Sequence, residues 1–416
     1  MEMSQSFFSK PFGTSAAKKV YVGVTQHPCT ENAMNSNLLK RWFEANGWEV
    51  TRRSSEADIV IVSTCGFSRS QEDYEIDEIR KKTADKKPGA ELIVVGCLPE
   101  INRERLRKEF NGVCISTKDI MKFNEHLNLP KRLEELDNHF VSSEEYEANP
   151  HIAFWVKARM ELERWNKKVP FIKVPRVLFT TPSTSWFCIR CATGCTGNCS
   201  YCGIRHAQGF IESTPIDDIV RQAEKGLAMG YKEIALTGED LGGYGVDRKQ
   251  DLADLLNELV KLKGDFEINL RFIDPYWLLR LFDKLQFSFN SGKVKSFCVP
   301  AQSGSDRILK AMCRRYTFSE IKSGVNDTLR FTKVKMISTN IIVGFPGETE
   351  EDFRDSLRLV REVDFSLFLI FPYEERPGTP AATLPSKIPE EVKQRRFQKI
   401  YRMAVRKQVK HFLGWT

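Results

Sequence analysis

Short apolar segments rich in β-branched residues alternate with helical segments along this chain, and this alternation limits the folds that it can adopt. Residues 19–25, 57–63 and 91–96 are three such segments, and residues 33–48 carry apolar side chains at helical spacing. Strands that alternate with helices favour a parallel sheet with helices on both faces. Residues 19–126 are therefore predicted to form a doubly wound parallel-sheet domain of the α/β class.

Each of these three strands leads into a cysteine, and these are Cys29, Cys65 and Cys97. The carboxyl ends of parallel strands lie at one edge of the sheet, where such sheets bind ligands. One such cysteine alone is more simply a buried thiol, since free cysteine is among the most buried residue types. Three at equivalent strand ends instead predict a site in which three thiolates hold an iron–sulfur cluster and leave one iron open.

A second group of cysteines, Cys195, Cys199 and Cys202, has C-x3-C-x2-C spacing in a glycine-rich loop. A structural zinc ion usually has four protein ligands, and a four-iron cluster commonly has four thiolates. Zinc knuckles also use closely spaced cysteines, so the spacing alone is a moderate signal. Three thiolates leave one metal position open to a substrate or cofactor, which favours a catalytic cluster.

The alternation of strands and helices resumes at about residue 186. Strands are predicted at residues 187–191, 233–237, 268–273, 296–300, 335–343 and 367–371, and helices at residues 215–229, 252–262, 307–313 and 350–363. About six β/α units are fewer than the eight of a closed barrel. Residues 186–385 are therefore predicted to form a partial (β/α)6 barrel, whose open side admits a large substrate.

The remaining segments complete the division of the chain. Residues 1–18 are predicted to be a flexible N-terminus, residues 127–185 a connecting segment and residues 386–416 a basic C-terminal helix. The 416 residues are enough for two domains, since a domain commonly has about 100–200 residues.

Composition limits the surroundings and partners of this protein. The longest apolar runs, such as residues 365–371, are too short to span a membrane, and the opening residues lack a signal-peptide pattern. A cytoplasmic location without a membrane partner is therefore expected. Eleven cysteines in an intracellular chain indicate metal ligation or redox chemistry before disulfides. The net charge of +8 mildly favours an anionic partner, such as RNA, a carboxylate or an acidic peptide.

The two cysteine groups, in this order, resemble those of the methylthiotransferase family of radical S-adenosylmethionine (SAM) enzymes. Further segments that resemble motifs of this family are residues 236–247, 300–312, 341–353 and 376–382. The resemblance covers roughly residues 20–125 and 187–400. Gln208 and Asn340 depart from it, because the family commonly has Arg and Asp at these positions.

This resemblance implies two [4Fe-4S] clusters and SAM as cofactors. The catalytic cluster, which cleaves SAM, would be held by Cys195, Cys199 and Cys202, and the auxiliary cluster by Cys29, Cys65 and Cys97. In the family's scheme, one SAM methylates sulfur attached to the auxiliary cluster. A second SAM yields a 5′-deoxyadenosyl radical that abstracts hydrogen from a substrate carbon, which then takes the methylthio group. An electron donor such as flavodoxin or ferredoxin is expected as a partner.

Three loops at predicted strand ends are expected to contact SAM. Its ammonium group would donate charge-assisted hydrogen bonds to the loop formed by Thr237, Gly238 and Glu239. Its ribose or carboxylate would bond Gln302 and Ser303, and its adenine would lie against Gly344, Phe345 and Gly347, where glycine allows close approach. Each glycine fits a plain turn equally well. Arg376 is expected either to anchor an anion at the barrel mouth or to form a surface salt bridge.

The substrate is the least constrained part of this interpretation. Family members that act on tRNA usually carry a small RNA-binding β-barrel after the 376–382 motif, and no such segment is recognisable in this sequence. A basic helix without a recognition motif offers nucleic acid only its charge. A peptide or protein side chain, or a small metabolite, is therefore expected, with a tRNA adenosine as second choice. A radical SAM dehydrogenase or crosslinking enzyme, with the N-terminal cluster as an electron relay, is the alternative of another class.

Overall fold

The computed structural model describes residues 17–24, 29–137, 139–141 and 186–413. Residues 1–16 of the predicted flexible N-terminus and most of the predicted connecting segment lie outside the described residues. The described residues form one five-stranded sheet, one seven-stranded sheet and a short two-stranded ladder. Helices pack against both large sheets, which confirms the α/β class.

Five parallel strands form the N-terminal sheet, in the spatial order β2-β1-β3-β4-β5. They are β1 (Lys19–Gly23), β2 (Glu49–Val50), β3 (Ile59–Thr64), β4 (Glu91–Gly96) and β5 (Val113–Ser116). The helices of this domain are α1 (Thr30–Ala45), α2 (Arg69–Asp85), α3 (Leu98–Ile101), α4 (Arg103–Glu109) and α5 (Lys122–Leu127). Trp42 and Phe43 of α1 pack on one face of the sheet, and Ile76 and Ile79 of α2 pack on the other. The predicted doubly wound sheet is therefore confirmed.

Seven strands form the second sheet, in the order β14-β13-β12-β11-β10-β7-β6. They are β6 (His139–Val141), β7 (Trp186–Arg190), β10 (Glu233–Thr237), β11 (Glu267–Phe272), β12 (Val294–Cys298), β13 (Met336–Val343) and β14 (Leu367–Pro372). Strands β7 to β14 of this sheet are parallel, as expected for a partial (β/α)6 barrel, whereas β6 pairs antiparallel with β7. Residues 139–141, predicted as part of the connection, thus extend the barrel sheet.

Helices follow the barrel strands and bury apolar faces against them. They are α6 (Ile204–Gln208), α7 (Ile216–Ala228), α8 (Leu252–Lys261), α9 (Pro275–Asn290), α10 (Asp306–Ala311), α11 (Phe318–Phe331) and α12 (Glu350–Glu362). Helices α9 and α11 were missing from the prediction. Thr317 begins α11 and Thr349 begins α12, each through a reciprocal cap with an acidic residue three positions later.

The C-terminal helix, α13 (Glu390–Leu413), packs on the barrel. Arg396 is buried and its guanidinium lies 2.7 Å from Glu348 and 2.9 Å from Glu350. Lys407 donates to the carbonyl oxygens of Arg361 and Val363 at 3.1 and 2.6 Å. Part of the basic character of this helix is therefore used in packing. Among the described helices, none is both long enough and apolar enough to cross a membrane.

Candidate active site

A short antiparallel ladder closes the base of the loop that carries Cys195, Cys199 and Cys202. Strand β8 (Ala192–Thr193) leads into the loop and pairs with β9 (Glu212–Ser213), which follows it. Gly194 has a φ of +76°, and a side chain there would lie 2.2 Å from the carbonyl oxygen of Phe210. Glycine is therefore required where the loop begins, and the three cysteines are held in one place.

Hydrogen-bond donors point at all three sulfurs of this loop. The backbone N–H of Gly197 lies 3.2 Å from the Cys195 sulfur, and Nη1 of Arg314 lies 2.9 Å from the Cys199 sulfur. Cys202 accepts from the backbone N–H groups of Ile204 and Arg205. Burial raises the pKa of Cys202 to about 11, and burial followed by the charge of Asp240 raises the pKa of Cys195. A buried thiol is neutral without metal, so the donors suit thiolates bound to a metal.

The other three cysteines meet at the carboxyl edge of the N-terminal sheet, as predicted. Cys29 caps α1 and accepts the N–H of Asn32 at 3.4 Å, and it keeps an accessible face. Cys65 and Cys97 follow β3 and β4 and are buried. Burial raises the pKa of Cys65 to about 11 and that of Cys97 to about 12, and the nearby Cys65 thiol adds to the shift of Cys97.

These three sulfurs also have donors. Cys65 accepts from the N–H of Phe67, and the Cys97 sulfur lies 3.6 Å from the hydroxyl of Thr117. Within the described residues, no three Cys, His, Asp or Glu side chains are grouped tightly enough to share a single metal ion. A four-iron cluster differs from a single ion, because each thiolate binds its own iron and the sulfurs stand further apart. Because each group offers three thiolates, one fewer than a structural zinc ion usually has, both groups fit clusters with one open iron better than zinc.

One isoleucine separates the two cysteine groups. Helix α3 begins directly after Cys97, and its last residue, Ile101, packs against the backbone of Gly66 and Gly203. These glycines directly follow Cys65 and Cys202 in the sequence, and side chains there would lie 3.0 and 3.3 Å from Ile101. The two loops therefore share a wall, which is the side chain of Ile101.

Gln208, a departure from the family pattern, lies in the same wall. It ends α6, and its amide nitrogen lies 3.9 Å from the Cys97 sulfur. The neighbouring Ala207 packs with Cys97 and Ile101. A neutral amide thus stands beside the N-terminal group at the position where the family has a cation.

The first predicted SAM loop reaches the contact between the two domains. The Thr237 hydroxyl lies 3.4 Å from the sulfur of Met34 in α1, and Gly238 approaches the carbonyl of Ala192. Glu239 is half-buried, and its Oε2 is shielded from solvent without a hydrogen-bond partner within the structure described. Burial and then the charge of Glu31 raise the pKa of Glu239 to about 8. An acceptor of this kind can take a proton or bond a cation.

The two residues of the second predicted SAM loop differ in their surroundings. Gln302 is buried with a φ of +67°, and its backbone is bonded on both sides to β13. Its side chain is free to bond a ligand, since no bond within the described part of the chain involves it. Ser303 is different, because its hydroxyl lies 3.3 Å from that of Ser356 in α12 and accepts the N–H of Ser305. The hydroxyl of Ser303 is thus bonded within the protein, and its contact with the ribose or carboxylate of SAM stays a prediction.

The third predicted loop is also occupied by the protein itself. The N–H of Gly344 donates to Glu348 at 2.8 Å, and that of Gly347 donates to the carbonyl of Ser386 at 2.9 Å. Lys393 of α13 covers Gly344. Phe345 is fully buried and packs edge-on against Tyr373. The expected backbone approach of these glycines to adenine is not supported, and their positive φ angles explain why glycine is present.

Two further site residues were not found from the sequence. Arg314 follows α10, and its guanidinium contacts Cys199 as described above. Asp274 begins α9 and lies 2.7 Å from Arg314. No spacing marks either residue, because basic residues are common after helices and Asp is common before them.

Comparison with known proteins gives matches for both domains. Residues 189–360 match the Radical SAM superfamily, and residues 21–116 match the Uncharacterized protein family UPF0004. The ribosomal protein uS12 methylthiotransferase RimO of Geotalea uraniireducens is 32% identical over 95% of this chain and 84% of its own length. A probable threonylcarbamoyladenosine tRNA methylthiotransferase of Methanocaldococcus jannaschii is 32% identical over 90% of this chain and 80% of its own length.

A solved structure agrees with the fold. The radical SAM methyltransferase TsrM of Kitasatospora setae, with cobalamin and a [4Fe-4S] cluster bound, has a TM-score of 0.57 at 15% identity. The match covers 88% of this chain and 76% of that chain.

The barrel and its three-cysteine loop define a radical SAM enzyme. The N-terminal domain and the relatives that span nearly the whole chain narrow the class. The chain belongs to the methylthiotransferase family of radical SAM enzymes. Its cofactors are two [4Fe-4S] clusters and SAM.

Proposed function

We propose that this enzyme adds a methylthio group to a carbon of a peptide or protein side chain, or of a small metabolite. Cys195, Cys199 and Cys202 hold the catalytic cluster, and Cys29, Cys65 and Cys97 hold the auxiliary cluster. The observation that carries the proposal is the shared wall at Ile101, which Gly66 and Gly203 contact. The loops that would hold the radical-forming cluster and the sulfur donor therefore contact the same side chain.

The bound cofactors supply the radical, the methyl group and the sulfur, and the protein residues hold them in place. The donors to the six sulfurs would stabilise the thiolates that bind the clusters. Glu239 and Gln302 are the proposed contacts of SAM. The Oε2 of Glu239 is shielded from solvent and has no partner among the described residues, and the buried Gln302 has a side chain that they leave free. The accessible face of Cys29 is the proposed side of substrate entry.

Two observations support a peptide or protein substrate over tRNA. The uS12 relative modifies a ribosomal protein, by its name. The basic residues of α13 also face the barrel in part, since Arg395 and Arg396 contact Glu350 and Lys407 bonds two barrel carbonyls. A tRNA adenosine is the second candidate, because relatives named as tRNA methylthiotransferases are equally similar. Arg402, Arg406 and Lys410, which are exposed, would then contact the RNA backbone.

The test is anaerobic turnover with SAM, a one-electron donor and either candidate peptides or tRNA, followed by product mass. The proposal expects a methylthio product together with both S-adenosylhomocysteine and 5′-deoxyadenosine. A dehydrogenase or crosslinking enzyme would give only 5′-deoxyadenosine. Recovery of a 2-methylthioadenosine derivative from tRNA would reverse the substrate preference. Comparing turnover with flavodoxin, ferredoxin and a chemical reductant tests the predicted electron donor. The cytoplasmic location stays a prediction.

The roles of the two cysteine groups are separated by variants. Changing Cys29, Cys65 and Cys97 to Ala should abolish methylthiolation but leave SAM cleavage to 5′-deoxyadenosine. Changing Cys195, Cys199 and Cys202 to Ala should abolish cleavage as well. Normal methylthio product from the first variant would contradict the assigned sulfur-transfer role.

Binding of tRNA gives a further check. Attraction by charge alone falls steeply with salt, because counterions are released from the RNA. Weak binding that ignores sequence and vanishes at moderate salt is expected. Selective binding that persists at moderate salt would favour the tRNA candidate.

A further inference from the structure

Arg314 is a buried cation in contact with the cysteine loop of the barrel. Its side chain is 5% exposed, and Nη1 lies 2.9 Å from the Cys199 sulfur. Nη2 lies 2.7 Å from Asp274 and 3.2 Å from the carbonyl oxygen of Pro300, and Nε bonds the hydroxyl of Tyr316. The guanidinium is therefore held on several sides.

The end of α10 fixes this arrangement. Cys313 takes a left-handed conformation with a φ of +58°, which turns the chain back after the helix. The N–H of Arg314 then bonds the carbonyl of Leu309 at 2.8 Å. Ser200 of the cysteine loop bonds the same helix end, through the carbonyls of Ala311 and Met312 at 2.8 and 3.1 Å. The loop and the guanidinium are thus located by one element.

Charge near a cluster changes the ease of its reduction. A cluster gains one negative charge when a one-electron donor of the flavodoxin or ferredoxin class reduces it, and no bond breaks. A buried cation stabilises the more negative state, because attraction between charges is strong where water is excluded. Hydrogen bonds to the cysteine sulfurs act in the same direction. Asp274 opposes part of this effect, since its carboxylate pairs with the same guanidinium.

We infer that Arg314 is a positioning residue that raises the reduction potential of the cluster at Cys195, Cys199 and Cys202. The carboxylate of Asp274 lowers this potential and so opposes Arg314. This inference rests on the proposed function, which assigns the cluster to these cysteines. It predicts that removing the cation and removing the anion shift the potential in opposite directions. A purely structural ion pair predicts no such opposition.

The test is a redox titration of the reconstituted full-length enzyme, followed by electron paramagnetic resonance. The cluster of interest is the one whose signal changes on adding SAM. Arg314→Gln should lower the ratio of reduced to oxidised cluster at least tenfold at a fixed potential, which corresponds to about 59 mV for one electron. Arg314→Lys, which keeps the charge, should shift it less. Asp274→Asn should raise the ratio, and asparagine can still cap α9.

Arg315→Gln is the matched control, because Arg315 is the next residue, carries the same charge and is exposed. It should leave the potential unchanged. An intact cluster with unchanged potential in Arg314→Gln, or shifts of the same sign in Arg314→Gln and Asp274→Asn, would overturn the inference. If Arg314→Gln fails to assemble a cluster, the reduction potentials of Asp274→Asn and Arg314→Lys test the inference instead. A SAM-responsive cluster that survives loss of Cys195, Cys199 and Cys202 would instead refute the proposed function.

Discussion

Arg376 of the barrel and Glu72 of the N-terminal domain form a buried ion pair, with Nη1 2.8 Å from Oε1. Glu72 also accepts from Arg105 and Asn102, each at 3.0 Å. Arg376 follows β14, whereas Glu72 lies in α2, a few residues after Cys65. The pair therefore connects the barrel to the chain segment that carries part of the auxiliary site. The anions beside Arg376 are carboxylates of the protein itself, because Arg376 pairs with the buried Glu72 and also with the partly exposed Glu374.

Replacing Arg376 with Met should lower the free energy of unfolding markedly. Removing one partner of a buried pair costs about 3–5 kcal/mol, because the other charge is left without water. The loss should fall toward the lower end of that range, since Arg105 still neutralises Glu72. Chemical denaturation measures the difference. Lys81→Met is the control on the same helix, because its pair with Glu78 is exposed and contributes little to stability. Equal losses of stability in the two variants would contradict a stabilising role for the buried pair of Arg376 and Glu72.

The strands were predicted from the sequence where periodicity is strong. The β10 strand was placed at residues 233–237 and has the same bounds in the structure. Strands of two or three residues, such as β2 and β6, have no periodic signal, and their pairing depends on neighbours distant in sequence. The N-terminal cysteine group was predicted because strand ends converge on one edge of a sheet, and the barrel group was predicted from its C-x3-C-x2-C spacing. Contacts such as Arg190 with Glu31, at 2.7 Å, join residues far apart in the chain, and no local pattern encodes them.

Iron content should separate the ligand cysteines from the structural ones. The variant in which Cys195, Cys199 and Cys202 are all Ala should retain one cluster instead of two, because each group supplies three thiolates. The control changes Cys114 and Cys298 to Ala, two thiols that belong to neither group. It should keep full iron content. Iron and sulfide analysis after anaerobic reconstitution measures both, and full iron in the first variant would contradict the ligand assignment.

Gly96→Ala should disturb the auxiliary site through the backbone. Gly96 precedes Cys97, has a φ of +125°, and a side chain there would lie 2.1 Å from the carbonyl oxygen of Thr64. That carbonyl accepts from Asn32 and from the N–H of Cys97, so a shift would move strands that carry cysteines. Gly89→Ala is the control, since Gly89 has a φ of +81° but nothing lies within 4 Å.

Gly89→Ala should lower the free energy of unfolding by about 1–2 kcal/mol, because alanine is strained in a left-handed backbone conformation. Gly96→Ala should cost more and should also lower the iron retained at the auxiliary site. Thermal unfolding and iron analysis of both variants give the comparison. Similar stability and similar iron in the two variants would show that the contact with Thr64 relaxes without consequence.

Acid should weaken this fold through His139 of β6. Its ring stacks on Phe187 of β7 at 5.0 Å, and burial lowers the pKa of His139 to about 4, with Arg41 and Lys225 acting in the same direction and Asp137 opposing them. Histidine in the unfolded chain has a pKa of about 6.5. Between about pH 4 and pH 6.5, the unfolded chain therefore binds a proton at His139 more readily than the folded chain does. The stabilisation is therefore complete above about pH 6.5 and is lost as pH falls toward 4.

Phenylalanine keeps the stacking and cannot ionise, so His139→Phe should lose less stability than wild type between pH 7 and 5. Urea unfolding of both proteins at each pH measures this, and loss of clusters in acid affects both alike. His206→Gln changes an exposed histidine and is the control, and its stability should vary with pH as that of wild type does. If the stability of His139→Phe falls with pH in parallel with that of wild type, another group controls the acid response.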